Sequence, residues 1–224
     1  MAEKMYLAEK GLQVQIKQGV DNIALQIKSK EAGKVMKSKV FETPGTFSWT
    51  VPVGVTEVYL TGCGGGGSGA SATNTTAGGG SGGGAHYVEY YPLTVVPGQT
   101  YTITVGKGGL APTELVKNGF SGGITSFGNL LSLPGGGAGI TAGPGGAAGG
   151  PFGVAGASQA YNDNSARQGK GGDCGPYQGG VAGSINSYLP GGDGGPGAGG
   201  GGAGANNPRP GKGGDGFLFI KWWE

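Results

Sequence analysis

The sequence is poor in the residue types on which most catalytic and metal sites depend. Its 224 residues include one histidine, His86, and two cysteines, Cys63 and Cys174. His86 has no cysteine or histidine at ligand spacing, so we expect no zinc site, and no other cofactor is predicted. The two cysteines could pair, but two isolated cysteines do not make a disulfide scaffold, and we expect free thiols.

Charge and long apolar runs are also scarce. Charged residues make up 12% of the chain, and the formal net charge is +2. No cluster of lysine or arginine exceeds that of an ordinary solvated surface, so we expect no nucleic-acid partner. The sequence has no apolar run of the length that spans a membrane, and its start has no apolar segment of the signal-peptide type. We therefore expect synthesis in the cytoplasm without secretion.

The acidic residues do not point to an enzyme. Asp163, Asp173, Asp193 and Asp215 could in principle pair for glycoside hydrolysis. All four lie in glycine-rich stretches without apolar cover, where a carboxylate more often accepts hydrogen bonds from backbone N–H groups. Matches to Gly-x-Gly-x-x-Gly are frequent, but none follows a strand and opens a helix, as a dinucleotide site requires. The sequence therefore predicts no enzymatic activity.

What the chain has in abundance is glycine. Most of its 57 glycines lie between Gly62 and Gly216. This density is typical of flexible linkers or disorder, which is one interpretation. Collagen is excluded, because the register of glycine at every third residue ends at Ala203. The alternative that we favour is a bundle of polyglycine II helices, in which the absence of side chains lets backbones approach closely and hydrogen-bond to their neighbours.

Two apolar, aromatic runs flank the glycine region, at residues 47–60 and 217–223. Both must be buried, and we expect them to lie beside each other as strands. The predicted fold is therefore mainly β with irregular structure and no α-helical core. It comprises an antiparallel β frame at 41–133 and 217–224, with a polyglycine II bundle at about 134–216.

Alternating apolar and polar residues predict the individual strands of this frame. They are expected on both sides of Pro52–Gly54, at His86–Tyr91 and Leu93–Val95 with an interruption at Pro92, and at Tyr101–Val105, Ile124–Gly128 and Leu130–Leu133.

Residues 1–40 differ in composition, with eight lysines against four acidic residues. The apolar residues between positions 16 and 27 fit one face of a helix, whereas the alternation at 12–17 and 23–28 fits two strands with a turn at 19–22. We favour the β-hairpin. Because a lone hairpin is barely stable in water, we predict that this segment serves assembly or anchoring.

Segments of ordinary composition separate the glycine clusters. Tyrosine combined with serine, glycine and asparagine is typical of binding loops, although such segments can also be plain connectors. The candidate binding residues in them are Phe152, Tyr161, Asn162, Asn164, Arg167, Tyr177, Asn186 and Tyr188. Tyr161, Tyr177 and Tyr188 are spaced as expected if successive helices return their turns to one end of the bundle.

Several motifs resemble the glycine-rich domain of phage tail fibres. They are Phe47–Val55, Gly62–Gly67, Val96–Tyr101, Val105–Gly109, Ser126–Gly128 and Gly213–Leu218. The later part is similar to the tip adhesins of T-even-type phages. The resemblance covers roughly residues 41–224 and implies stacked polyglycine II helices, whose intervening loops bind a receptor on the bacterial surface. It implies that the receptor is an outer-membrane protein or a glycan.

The sequence and this resemblance together predict a non-enzymatic phage virion protein that recognises the host surface as a tail-fibre tip adhesin. We expect residues 1–40 to contact other virion proteins, and a homo-oligomer such as a trimer is compatible with this role. The alternative is a structural capsid decoration or head-fibre protein. A depolymerase ranks third.

Overall fold

The residues that the computed structural model describes form ten strands and no α-helix. It describes residues 12–19, 22–29, 34–72, 78–157, 169–183, 189–204 and 209–224. The strands are β1 (Leu12–Gly19), β2 (Asn22–Ser29), β3 (Met36–Phe41), β4 (Gly45–Thr50), β5 (Glu57–Cys63), β6 (Tyr87–Thr94), β7 (Thr100–Val105), β8 (Thr125–Phe127), β9 (Leu131–Leu133) and β10 (Phe217–Trp223). The chain divides into two compact units, residues 1–37 with 223–224 and residues 38–222.

The N-terminal unit contains an antiparallel hairpin of β1 and β2. Leu12 is opposite Ser29, and Gly19 is opposite Asn22, so two residues connect the strands. A two-residue connection is the commonest hairpin geometry. The β-hairpin prediction is confirmed, and the helix that the apolar residues between 16 and 27 could have formed is absent.

The first four-stranded sheet joins the two ends of the larger unit. Its order is β3-β10-β5-β6, and β10 runs antiparallel to β5 with Phe217 opposite Cys63 and Ile220 opposite Leu60. Along β10 the burial alternates, because every second side chain faces the interior. The prediction that the apolar runs before and after the glycine region lie side by side is therefore confirmed.

The second four-stranded sheet has the order β4-β7-β8-β9, and all its described pairings are antiparallel. Trp49 from this sheet packs against Trp222 of β10 with ring centroids 5.3 Å apart, and against Phe127 at 6.0 Å. Leu60, Ile103 and Phe127 are fully buried in the core that the two sheets share. An antiparallel β frame thus encloses one apolar core, as the alternating patterns predicted.

Two details of the frame differ from the predicted strands. β6 continues through Pro92, because it is the last strand of its sheet and the missing N–H need not find a partner strand. Its pairing with β5 shifts between Leu60 and Gly62, where Tyr90 has a φ of 49°. The boundary predicted at residue 40 falls inside β3, whose last residue Phe41 belongs to the core.

The segments between Gly62 and Gly216 follow a hydrogen-bonding rule with a period of three residues. In the first glycine segment, residues 64–72, successive N–H groups donate to three different neighbouring segments in turn, and every third residue returns to the same neighbour. The donor and acceptor pairs are Gly64–His86, Gly67–Gly83 and Ala70–Gly80, then Gly65–Gly123, Ser68–Phe120 and Ser71–Lys117, then Gly66–Gly214 and Gly69–Gly211.

The second glycine segment, residues 78–86, repeats the rule with other neighbours. Its pairs are Gly79–Ala203, Gly82–Gly200 and Ala85–Gly197, then Gly80–Ile140, Gly83–Gly137 and His86–Pro134, then Ser81–Ala157 and Gly84–Val154. Within each group the acceptor number falls by three as the donor number rises by three, so the paired segments run antiparallel. Hydrogen-bonded glycine segments therefore begin at Gly64, ahead of the range 134–216 that composition indicated.

Small side chains inside these segments complete the hydrogen bonding. Ser68 Oγ accepts from the N–H of Phe120 at 2.8 Å, and Ser81 Oγ accepts from the N–H of Gly202 at 2.9 Å. Both serines are buried.

Cys63 and Cys174 are free, buried thiols that lie beside each other. Hydrogen bonding to Cys174, together with burial, raises the pKa of Cys63 far above its usual range.

Candidate functional site: the loop end of the glycine segments

The glycine segments alternate in direction, so their connections fall at two ends. We define the loop end by the residues that flank the four stretches of the larger unit outside the described residues, 73–77, 158–168, 184–188 and 205–208. These flanking residues are Ala72, Gly78, Ala157, Gly169, Gly183, Leu189, Gly204 and Arg209.

Backbone hydrogen bonds connect the stems at the loop end. Gly79 N–H donates to Ala203 O at 2.9 Å, and Ala203 N–H donates to Ala70 O at 3.0 Å. Gly183 N–H donates to Gly202 O at 2.9 Å, and Ser81 N–H donates to Ala157 O at 3.2 Å. Ala157 N–H donates to Lys170 O at 3.1 Å, and Gly191 N–H donates to Arg209 O at 2.9 Å, so described residues next to all four stretches are linked at this end.

The opposite end of the segments adjoins the β frame, and we call it the frame end. There Gly64 and Gly216 continue directly into or out of the frame strands, β5 and β10. Ala85 N–H donates to Gly197 O at 2.8 Å, and Gly197 N–H donates to Asp215 O at 2.9 Å. The connections at this end are tight turns, such as Cys174–Tyr177, in which the two terminal residues exchange backbone hydrogen bonds of 2.9 Å.

One stretch of the loop end lies wholly within the described residues. Residues 111–118 reach the first glycine segment, because Ser71 Oγ donates to Glu114 O at 2.5 Å and Val116 N–H donates to Ala72 O at 3.0 Å. Leu115 and Val116 are 47% and 59% exposed. Val116 also has a φ of 57°, which is rare for a β-branched residue and costs about 1–3 kcal/mol.

Sequence reasoning did not select Leu115 or Val116 as binding residues. Their segment, residues 111–118, carries no aromatic residue, and aromatic residues are the anchors that a sequence indicates most clearly. A strained φ and an exposed apolar side chain are properties of the folded backbone, so nothing in the sequence around Val116 signals them. The structure therefore adds both residues to the candidate site.

Most of the predicted binding residues lie outside the described residues. These are Tyr161, Asn162, Asn164, Arg167, Asn186 and Tyr188. The stretches that contain them, 158–168 and 184–188, both have their stems at the loop end.

Phe152 and Tyr177 are described, and both lie at the frame end. Phe152 is 74% exposed, with a φ of 60°. Tyr177 is half-buried, and its ring contacts Phe217 of β10 edge-on at 5.6 Å. Burial and the nearby thiols Cys63 and Cys174 raise the pKa of Tyr177. Tyr177 therefore does not share one end with the stems of the stretches that carry Tyr161 and Tyr188.

Three aspartates act as the capping interpretation predicted. Asp173 Oδ1 accepts from Gly179 N–H at 2.8 Å, Asp193 Oδ1 from Lys212 N–H at 2.9 Å, and Asp215 Oδ1 from Gly108 N–H at 2.8 Å. Asp163 lies outside the described residues. Each of the three carboxylates satisfies a backbone donor at the edge of a glycine segment, which confirms this role for them.

The described residues contain neither a metal-binding cluster nor a membrane-spanning helix. No group of three or more His, Cys, Asp or Glu side chains is arranged to hold a metal ion there. Within the same residues no helix has the length and apolar character to cross a membrane. His86 lies directly ahead of β6, and burial lowers its pKa.

Most of the chain matches a known protein family. The family described as a glycine-rich domain has a model that matches residues 42–223, which is most of the chain. No curated protein matches the sequence.

Proposed function

The chain belongs to the glycine-rich domain family, and on that premise we propose that it is a phage virion protein that binds the host surface through its loop end. The glycine segments act as a rigid support, and the stretches between them carry the recognition residues. Residues 1–40 attach the protein to the particle. The observation that carries this proposal is the convergence of the hydrogen-bonded stems on one end, away from the β frame.

We infer that the supporting segments are polyglycine II helices. Such a helix turns once in about three residues and has no internal hydrogen bonds, so its N–H groups point to three sides in succession. The cycle of partners in residues 64–72 and 78–86 supports this inference, because every third donor returns to the same neighbour. At about 3.1 Å per residue, a segment of eight residues separates the two ends by about 25 Å.

The chemistry of the loop end fits recognition. Val116 and Leu115 present exposed apolar surface on a strained backbone, and strain tends to persist where function requires a particular geometry. Tyr161 and Tyr188 would add aromatic anchors, which dominate the energetics of many interfaces. Loops on a rigid scaffold can change sequence with little cost to the fold, because their side chains do not contribute to a core. The resemblance to tail-fibre tip adhesins is consistent with this division between support and recognition.

Two measurements test the proposal on phage particles that carry this protein. Mass spectrometry of separated tails and capsids should find the chain with the tails, whereas a capsid location would identify a decoration or head-fibre protein. Adsorption to host cells should fall for particles with Tyr161→Ala and Tyr188→Ala together, while thermal unfolding of the purified variant stays unchanged. Normal adsorption of that variant would move recognition away from these residues.

A further inference from the structure

A second candidate site lies at the frame end, where an aromatic side chain is held outward at an energetic cost. Phe152 occupies a turn in which Gly153 N–H donates to Gly150 O at 3.1 Å, and its own carbonyl accepts from Gly175 N–H at 2.9 Å. Its φ of 60° is strained for a residue with a side chain. Phe152 is nevertheless 74% exposed, so burial does not offset the strain.

Phe152 forms one wall of a cavity of about 600 Å³ between the start of β6 and the turn Cys174–Tyr177. The other lining residues are Tyr87, Glu89, Gly175 and Pro176. A side chain at Gly175 would collide with the ring of Tyr87 at 2.6 Å, so glycine lets the turn lie directly against that ring. The cavity is therefore lined by the exposed ring of Phe152, by the largely buried ring of Tyr87 and by Pro176.

Glu89 supplies the charge of this cavity. Glu89 and Tyr87 line the same cavity, and burial together with the charge of Glu89 raises the pKa of Tyr87 to about 12. Within the described part of the chain, Glu89 forms no ion pair. Lys221 of β10 is engaged elsewhere, since its Nζ donates to Tyr90 Oη at 2.8 Å and lies 4.4 Å from that ring's centroid.

An aromatic cavity with one unpaired carboxylate has the chemistry that binds an organic cation. Aromatic faces attract ammonium groups electrostatically, and the attraction increases when water is excluded. A carboxylate beside the rings neutralises the positive charge of a bound cation. Glu89 would repel an anion, and a neutral ligand would leave the negative charge of Glu89 without a partner. The volume lies in the range of small-ligand sites.

We propose that the cavity formed by Phe152, Tyr87, Pro176 and Glu89 binds an alkylammonium group. The ring of Phe152 contacts the carbons next to the nitrogen, and Glu89 pairs with the positive charge. This site is separate from the loop end, and its ligand chemistry does not depend on host attachment through the loops.

The test uses the purified full-length chain and choline, with 3,3-dimethylbutan-1-ol as the neutral molecule of the same shape. Saturation-transfer NMR and shifts of the Gly175 amide should show saturable binding of choline, and binding of the neutral molecule about fivefold weaker or absent. Glu89→Gln and Phe152→Ala should each weaken choline binding by about fivefold or more. Both side chains are exposed, so thermal unfolding should remain unchanged in both variants.

Two further ligands distinguish the natural source of the ammonium group. Glucosamine represents an amino sugar, and Nα-acetyl-lysine amide represents a lysine side chain of a protein partner. The ligand that binds the cavity more tightly identifies the source of the ammonium group. Equal binding of choline and its neutral analogue would overturn the proposal. So would choline binding that both variants retain, or no binding of any of these amines at millimolar concentrations. None of these outcomes affects adsorption through the loop end, which is measured separately.

Discussion

At the scale of single residues, the close approach of backbones decides which side chains are tolerated. A Cβ at Gly136 would overlap the carbonyl oxygen of Gly83, and a Cβ at Gly200 would overlap that of Gly211. Gly195 lies in the same region, but the nearest atom to its Cβ would be Gln178 O at 3.3 Å. Glycine is thus required at some positions and replaceable at others, although all three are glycines in the sequence.

We predict that Gly136→Ala and Gly200→Ala each lower the free energy of unfolding by on the order of 3 kcal/mol, because the added methyl group displaces a backbone that is hydrogen-bonded on several sides. Gly195→Ala is the matched control and should change the unfolding free energy by less than about 1 kcal/mol. Chemical denaturation of the three variants measures the difference. If all three unfold like the parent, the glycine segments are not packed against one another.

Asp173 gives a prediction about acid stability. Burial alone would raise its pKa, but the hydrogen bond from Lys170 Nζ and the one from Gly179 N–H outweigh burial and hold the pKa below its usual value. The folded state therefore favours the charged carboxylate. The stabilisation is present above the pKa of the unfolded chain and is lost as pH falls through the lower folded pKa.

We therefore expect Asp173→Asn to have a lower free energy of unfolding than the parent at neutral pH. This difference in unfolding free energy should shrink as pH falls below the usual aspartate range. Unfolding free energies measured from pH 7 to pH 2 check this. When Lys170→Gln is already present, adding Asp173→Asn should lower the free energy of unfolding by less over the same pH range, because Lys170 is the cation that pairs with Asp173. If the difference in unfolding free energy between the parent and Asp173→Asn stays constant down to pH 2, the charge of Asp173 is not the source of the lost stability.

At the scale of elements, the sequence predicted the strands, but it did not predict which segments are neighbours in the glycine region. β5, β7 and β10 were predictable because a buried face and a solvated face alternate along each of them. The partners of the glycine segments were not, because glycine carries no pattern that selects one neighbour over another. The location of Tyr177 was also hidden, since its contact with Phe217 joins residues far apart in the sequence.

β10 closes the whole domain, which gives a prediction at this scale. It lies between β3 and β5, so its removal exposes both neighbours and the core residues that Leu218 and Ile220 cover. We predict that deletion of residues 217–224 abolishes cooperative unfolding and leaves an insoluble chain. Circular dichroism and size-exclusion chromatography decide this. A soluble truncated chain with a sharp thermal transition would show that the glycine segments fold without being closed by the frame.

At the scale of the whole molecule, the two compact units predict separable roles. The hairpin of β1 and β2 belongs to the smaller unit, while β3 contributes Phe41 to the core of the larger one. Because Phe41 of β3 belongs to that core, the truncation that tests separate roles is made ahead of β3. We predict that a chain lacking residues 1–33 unfolds at nearly the temperature of the parent but does not join particles. Incorporation of that shortened chain at normal copy number would contradict the assembly role.

The most direct test of the central claim replaces the recognition stretches and keeps their support. Residues 158–168 and 184–188 are exchanged for glycine-serine sequences of equal length, and Ser48→Ala with Thr102→Ala, on exposed positions of the second sheet, serves as the control. Adsorption of particles to host cells is measured beside thermal unfolding of the purified proteins. The account predicts that the exchange abolishes adsorption while the unfolding temperature and copy number stay at parental values, and that the control adsorbs normally. Normal adsorption after the exchange would contradict the claim that the loop end recognises the host.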